Sequence, residues 1–384
     1  MELILKQYDI PLLRFSATND SSTPEIEVHW INEDQRHLLP LDMELSPEGI
    51  SRWMRRRTIP RNRAYVNRLL AKCGLNANRP MGILALCKGL SVDDSYWVVE
   101  EGFEGTFEKY NLFENRFSEA LALIAFTGYG SSNRSSLASS PEFTTNGMLP
   151  KCWRRISGKV MLYKGGTDGG YNTGAEPYCE YYAAQVAAAM GIDAIPYGLS
   201  QWKGRLCSTC ELFTDIDHAY MPIGNLVQRG GFDAVAAYYE KLGEPFQKAF
   251  RDMLVFDAVI CNTDRHYGNF GFMIDNKNNT IAAPAPLFDH GNSLFNQAGP
   301  EDYESPEAFQ QYIDTLVPCV YDDFFATAKR FMTDENREQL RKLLGFRFKR
   351  HVRYNLPPKR LKLMEEQVRK RAMRLLENKE YAQD

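Results

Sequence analysis

A chain of 384 residues has room for two or three domains, and 44% hydrophobic content with 12% aromatic residues is enough for sizeable cores. Its 46 basic and 49 acidic side chains give a formal net charge of -3, which excludes a polycation held to nucleic acid by overall charge. No uninterrupted apolar run approaches membrane-spanning length and the segment Met1 to Asp9 is interrupted by charge, so a cytoplasmic protein with reduced thiols is expected.

From the N-terminus, Glu2 to Leu41 alternates short β-prone runs with turn residues, and Pro47 to Leu75 reads as helical. Six arginines occupy the twelve positions from Arg52 to Arg63, while Tyr65, Leu69 and Leu70 recur at helical spacing. That pattern suggests helices packed on the body with basic faces outward. Arg116 to Ala125 reads as a further helix. This α+β region, residues 1–130, carries no catalytic constellation, and the Ser-rich stretch beginning at Ser131 marks its boundary. A small α+β lobe is expected over 131–214 and a mainly helical lobe over 215–384.

Within the small lobe, Lys159 to Lys164 reads as a short strand ending in a lysine. Glu176 to Met190 is rich in Glu, Ala, Gln and Met, with Pro177 near its start and Gly191 to close it, as a helix should be. Apolar and small residues from Leu206 to Cys210 precede Glu211, Leu212 and Phe213 and suggest a link between lobes. Cys207 and Cys210 form a lone CxxC without the second pair that a zinc site needs. His29, His37, His218 and His351 show no metal-ligand spacing. In the helical lobe, Phe246 to Ile260 is a strongly apolar helix carrying Asp257, either as a brace for the adjoining loop or facing solvent. Leu361, Met364, Val368, Ala372 and Leu375 form an apolar stripe in the last helix, amid a run of Lys and Arg. Such basic runs are usually solvated faces, with nucleic acid or an acidic protein as the alternative occupant.

The chemistry is carried by Cys261 to Asn269. An Asp followed five positions later by an Asn is the spacing with which phosphoryl-transfer enzymes orient an acceptor hydroxyl and reach back to a magnesium ion. Asp264 and Asn269 hold those positions. Two apolar segments then flank an Asn/Lys-rich turn at Asn276 to Asn279, the pattern of an antiparallel hairpin, and the second leads to Asp289. A hairpin returns its far end to its start, so Asn269 and Asp289 are expected to lie close enough to share a metal. A kinase also requires a strand lysine on the nucleotide phosphates and a helical glutamate to hold it, and Lys164 and Glu180 are the candidates, with Glu176 as the fallback. His266, inside the loop, is expected to brace the backbone.

The run Asn262-Thr263-Asp264-Arg265-His266 with Asn269, followed by Pro286-Leu287-Phe288-Asp289 and Gly291, resembles the catalytic core of the HipA-like serine/threonine kinases. These are bacterial enzymes whose best-known members are toxins of toxin-antitoxin systems, and the order Asp-Arg-His is also similar to phosphoinositide kinases. The resemblance covers roughly Thr144 to Asp289. It implies a bilobal protein-kinase-like α+β fold, ATP and Mg2+ as cofactors, a Ser/Thr acceptor on a protein, and a separately encoded antitoxin as partner. Glu180-Tyr181 fits the Glu-aromatic pair of the family's helix, and the hinge strand that meets adenine would run through Leu206 to Cys210 to Glu211 and Phe213. No Gly-x-Gly-x-x-Gly or Walker loop occurs. In its place the resemblance implies a Ser/Gly-containing phosphate loop, self-phosphorylated in some members, and Ser135 to Thr145 is the segment for it. A lipid or small-molecule kinase would use the same core, as would a nucleotide-binding pseudokinase.

Overall fold

The computed structural model describes residues 1–18, 24–130, 140–169 and 173–377. It is a mixed α+β protein whose chain divides into two compact units. The first comprises Met1–Lys164, Glu211–Met221 and Phe272–Ala282; the second comprises Gly165–Cys210, Pro222–Gly271 and Ala283–Asp384. The boundaries expected at 131 and 214 both fall inside the first unit.

The first unit is built on a four-stranded antiparallel sheet in the order Ile26–Ile31, Ile10–Ala17, Glu2–Gln7, Tyr96–Glu100. Strand period sends Leu3 and Leu5 to one face, where they join Leu12, Leu13 and Phe15 beneath Ile50, Trp53 and Met54 of the helix Pro47–Arg56. That helix opens on a Ser46 cap and stops after one arginine cluster. The helix expected to run on to Leu75 is broken: the second helix spans Val66–Lys72 and enters through Tyr65 in the left-handed region, φ 59°. Pro60 lies in the break, and two of the arginines leave the surface altogether. Arg57 donates to both oxygens of Asp94 at 2.7 Å and to the carbonyls of Gly89 and Tyr96. Arg63 pairs with Glu142 at 2.6 Å, both side chains fully buried, and also donates to the carbonyls of Glu142, Thr145 and Lys151. The outward basic face is therefore left to Arg52, Arg55 and Arg61, which are exposed.

A second apolar cluster joins Trp97, Val99, Phe107 and Leu112 to Trp153 and Val160 of the hairpin Lys151–Ile156 and Lys159–Gly165. Ser157 and Gly158 turn this hairpin with φ 50° and 83°, the mirror-image turn that matches strand twist. Of the segment expected as the phosphate loop, Ser135 to Ser139 lie outside the described residues. Its described end is fixed: Glu142 accepts Trp153 N–H at 2.8 Å, and Thr145 Oγ1 accepts from Trp153 Nε1 at 2.9 Å. The later hairpin Gly271–Asp275 and Thr280–Pro284 is continued by His218–Pro222 in a three-stranded sheet. The two ends of its Asn-rich turn are buried while Lys277 and Asn278 are exposed: Gln7 Nε2 donates to Asn276 O at 2.7 Å, and Asn279 Nδ2 donates to His37 O and Leu39 O.

Asp93 in this unit has its carboxyl pushed up to about 6, first by burial and then by the charge of Asp94. A folded value above the unfolded one, about 4, means that the stabilisation it contributes is complete below pH 4 and is lost as pH rises through 6. Asp93→Asn should accordingly raise the thermal midpoint at pH 7.5 and change it little at pH 4. Unfolding scans at the two pH values check this.

The second unit is mainly helical. Glu176–Met190, Gly231–Leu242, Glu244–Ile260, Pro306–Asp314, Phe324–Phe331, Asp334–Arg341 and Pro358–Leu376 are its principal helices, with a hairpin of Gly198–Trp202 and Arg205–Glu211. Glu244–Ile260 is its centre: Val255, Phe256, Val259 and Ile260 are fully buried, and so are Met364, Val368, Ala372 and Leu375 of the last helix. Arg371 of that helix turns inward and donates Nε to Ala258 O at 2.6 Å, placing a cation on the negative end of Glu244–Ile260. Among the described residues no helix is long and apolar enough to cross a membrane.

Candidate active site

The end of the helix Glu244–Ile260 sets the geometry. Cys261 closes it in the left-handed region, φ 53°, and its N–H returns to Asp257 O. Asn262 N–H bonds the same carbonyl at 3.1 Å, and Asn262 Oδ1 accepts Asp264 N–H at 3.1 Å. The chain thus leaves the helix in a fixed turn with Asp264 two residues on. Asn269 Nδ2 donates back to Asp264 O at 3.2 Å, which orients its amide and leaves Oδ1 as the lone-pair end. His266 Nδ1 accepts Gly268 N–H at 3.0 Å, the bracing role expected of it. A Cβ on Gly268 would sit 2.8 Å from the His266 ring, so this close turn requires glycine.

Arg265 is the hub. Its side chain is 1% exposed and that of Asp257 is wholly buried; Nε and Nη2 bind the two Asp257 oxygens at 2.9 and 3.0 Å. Nη1 donates to Asn269 O at 3.1 Å and to Phe288 O at 2.6 Å, and Nη2 to His290 Nδ1 at 3.0 Å. Burial opposes the guanidinium charge, but the Asp257 carboxylate outweighs it and lifts the Arg265 pKa further above its ordinary value. One buried cation therefore ties the loop at Asn269 to the segment after the returning strand at Phe288, the residue before Asp289. Of the two alternatives for Asp257, the structure selects the brace.

The returning segment is held as tightly. Asp289 adopts φ 56°, and its N–H donates to Tyr197 Oη at 3.1 Å. Burial, and then the Glu180 carboxylate, push the Tyr197 phenol well above its ordinary range, so it stays protonated. His290 N–H donates to Glu180 Oε2 at 2.7 Å, with Glu180 wholly buried on the helix Glu176–Met190. Thr263 N–H bonds Asn292 O, and Asn292 Nδ2 donates to Asp264 Oδ2 at 2.8 Å. Glu176 is engaged elsewhere, its carboxylate accepting Thr167 N–H at 3.1 Å and the Thr167 hydroxyl.

The structure therefore brings Asp264, Asn269, Asp289 and Glu180 into one connected network within the second unit. Lys164, Glu211 and Phe213 belong to the first unit. Lys164 is buried at the end of its strand, opposite Lys151 in register. Glu211 pairs with Lys159 at 2.5 Å, Leu212 N–H bonds Val160 O, and the Phe213 ring meets Tyr220 edge-on at 5.5 Å. Tyr197, His290 and Asn292 were not singled out from the sequence, and Arg265 is there only a motif residue without a role. His290 and Asn292 flank Gly291 of the second motif, and Tyr197 carried no local signal. Among the described residues no group of three or more His, Cys, Asp or Glu is placed to hold a metal. An amide oxygen and a carboxylate suit instead a hard cation that keeps several waters and is completed by substrate phosphates, as Mg2+ does.

No family model matches the chain. In sequence it is similar to the serine/threonine-protein kinase CtkA of Helicobacter pylori strain J99, 27% identical over 135 residues, 32% of this chain and 41% of that one. The match thus spans about two fifths of that relative's length. In fold it is similar to the crystal structure of the H. pylori proinflammatory kinase CtkA, with TM-score 0.50 and 15% identity over 60% of this chain and 90% of that chain. It is also similar to a chain of the Shewanella oneidensis MR-1 toxin-antitoxin complex of HipA, HipB and operator DNA, with TM-score 0.52 and 13% identity over 97% of each chain. The likeness to HipA-like kinases drawn from the motifs is thus shown, by sequence to CtkA and by fold to both.

Proposed function

We propose that the chain is an ATP- and magnesium-dependent serine/threonine protein kinase of the HipA-like type, acting in the cytoplasm. The observation that carries this reading is the convergence of Asn269 and Phe288 on one Arg265 nitrogen, which sets an Asp–x4–Asn loop against a second carboxylate, Asp289. Magnesium, held by Asn269 Oδ1 and Asp289, would neutralise charge on the nucleotide phosphates. Asp264 orients the acceptor hydroxyl and takes its proton as the new O–P bond forms and the bond to ADP breaks. From the motifs, phosphate charge is further assigned to Lys164, the positioning of that lysine to Glu180, and the adenine edge to the backbone around Glu211 and Phe213. Catalysis of this kind is mostly positioning and charge stabilisation, which is what a rigidly braced loop supplies. The likeness to HipA supports a separately encoded antitoxin as partner, and self-phosphorylation within Ser135 to Thr145 rests on the resemblance of the motifs alone.

Incubation with γ-labelled ATP, magnesium and dephosphorylated casein, with phosphoinositide vesicles in parallel, tests the acceptor class. Phosphoserine or phosphothreonine in the protein fraction is expected. Label confined to lipid would replace the protein-kinase reading with a lipid-kinase one.

A further inference from the structure

We propose, resting on the kinase reading of this site, that Asn292 is a positioning residue for phosphoryl transfer. It holds one oxygen of the Asp264 carboxylate so that the other faces the acceptor hydroxyl. The contact is Asn292 Nδ2 to Asp264 Oδ2 at 2.8 Å. Its direction is fixed by chemistry, because Asn292 Oδ1 accepts from Asn296 Nδ2 at 2.9 Å. A flipped amide would set oxygen against carboxylate and nitrogen against nitrogen. Asn296 is itself buried. The Asn292 backbone is anchored to the same loop, its carbonyl accepting Thr263 N–H at 3.1 Å and Thr263 Oγ1 at 3.2 Å. Two residues on, Leu294 N–H bonds Ile260 O at 2.7 Å, at the end of the helix that feeds the loop.

The consequence is geometric. Asp264 is held at its backbone by Asn262 and at its side chain by Asn292, so the plane of its carboxylate is set before any acceptor arrives. A neutral amide does this without placing a cation beside the group, which would compete for the electron pair that takes the acceptor proton. Asn292 also lies three residues after Asp289, so one short segment carries both the metal carboxylate of the proposed mechanism and the clamp on its base.

Steady-state transfer from γ-labelled ATP to casein tests the role. Asn292→Ala should lower kcat by about 10- to 100-fold, the cost of a misplaced catalytic group, and leave the ATP KM within about twofold. Asn292→Asp, of equal size but without the donor, should be no better than alanine. Asn296→Ala, which loosens the clamp without removing it, should fall between wild type and Asn292→Ala. A kcat for Asn292→Ala within about twofold of wild type would overturn the role, as would restoration by Asn292→Asp. A merely structural role would move the thermal midpoint and reduce activity in proportion to folded protein. With asparagine side chains 15N-labelled, the Asn292 amide signal should shift in Asp264→Ala, and an unmoved signal refutes the contact. A wild type that transfers no phosphate while this signal still shifts refutes the kinase reading, and the catalytic role with it, and leaves the contact standing.

Discussion

Asp289→Asn should lower phosphoryl transfer by about 1,000-fold, roughly 4 kcal/mol of transition-state stabilisation, while the protein unfolds near the wild-type temperature. Asparagine is the informative replacement because Asp289 sits at φ 56°, a conformation that asparagine tolerates and alanine resists by about 1–2 kcal/mol. The bond to Tyr197 comes from the Asp289 backbone N–H and survives the change. Loss of the negative charge is then the principal alteration. Activity and thermal midpoint measured on one preparation separate the two effects, and retained transfer would remove Asp289 from the metal assignment.

Arg265→Met should cost both stability and activity. It leaves the fully buried Asp257 carboxylate without its cation and removes the donors to Asn269 O, Phe288 O and His290 Nδ1. Breaking a buried pair on one side typically costs about 3–5 kcal/mol. Replacing both partners, Arg265→Met with Asp257→Leu, should recover part of that loss in denaturant unfolding, because no unpaired charge remains. Activity should not return with it, since the two arms of the site are still untied.

The elements nearest the chemistry were legible because local rules wrote them. Glu176–Met190 has its proline at the start and its glycine in the left-handed region at the end, so composition and caps agree on its limits. The hairpin after Asn269 and the apolar stripe of the last helix were readable for the same reason. The buried arginines were not. Arg57 and Arg63 lie in a run that looks like a solvated basic face, and their carboxylate partners are 37 and 79 residues away. The Asn276 to Asn279 turn has the composition of an exposed loop, but Asn279 donates its side-chain amide to the carbonyls of His37 and Leu39 and Asn276 O accepts from Gln7 Nε2, all more than 200 residues distant in sequence. Such pairings satisfy buried polar groups over long range, and a single sequence carries no periodicity that announces them. Asn292 was hidden in another way: it lies just past a recognisable motif, and its role depends on the helix end that holds Asp264.

The most direct test of the central claim is a single-turnover reaction of the purified wild type and Asp264→Ala with γ-labelled ATP and magnesium. The account predicts label on serine or threonine with the wild type and at least about 100-fold slower labelling with the variant. Equal labelling by the two proteins would contradict the role of Asp264, and ATP bound by the wild type without transfer to any hydroxyl would contradict the assignment as a kinase.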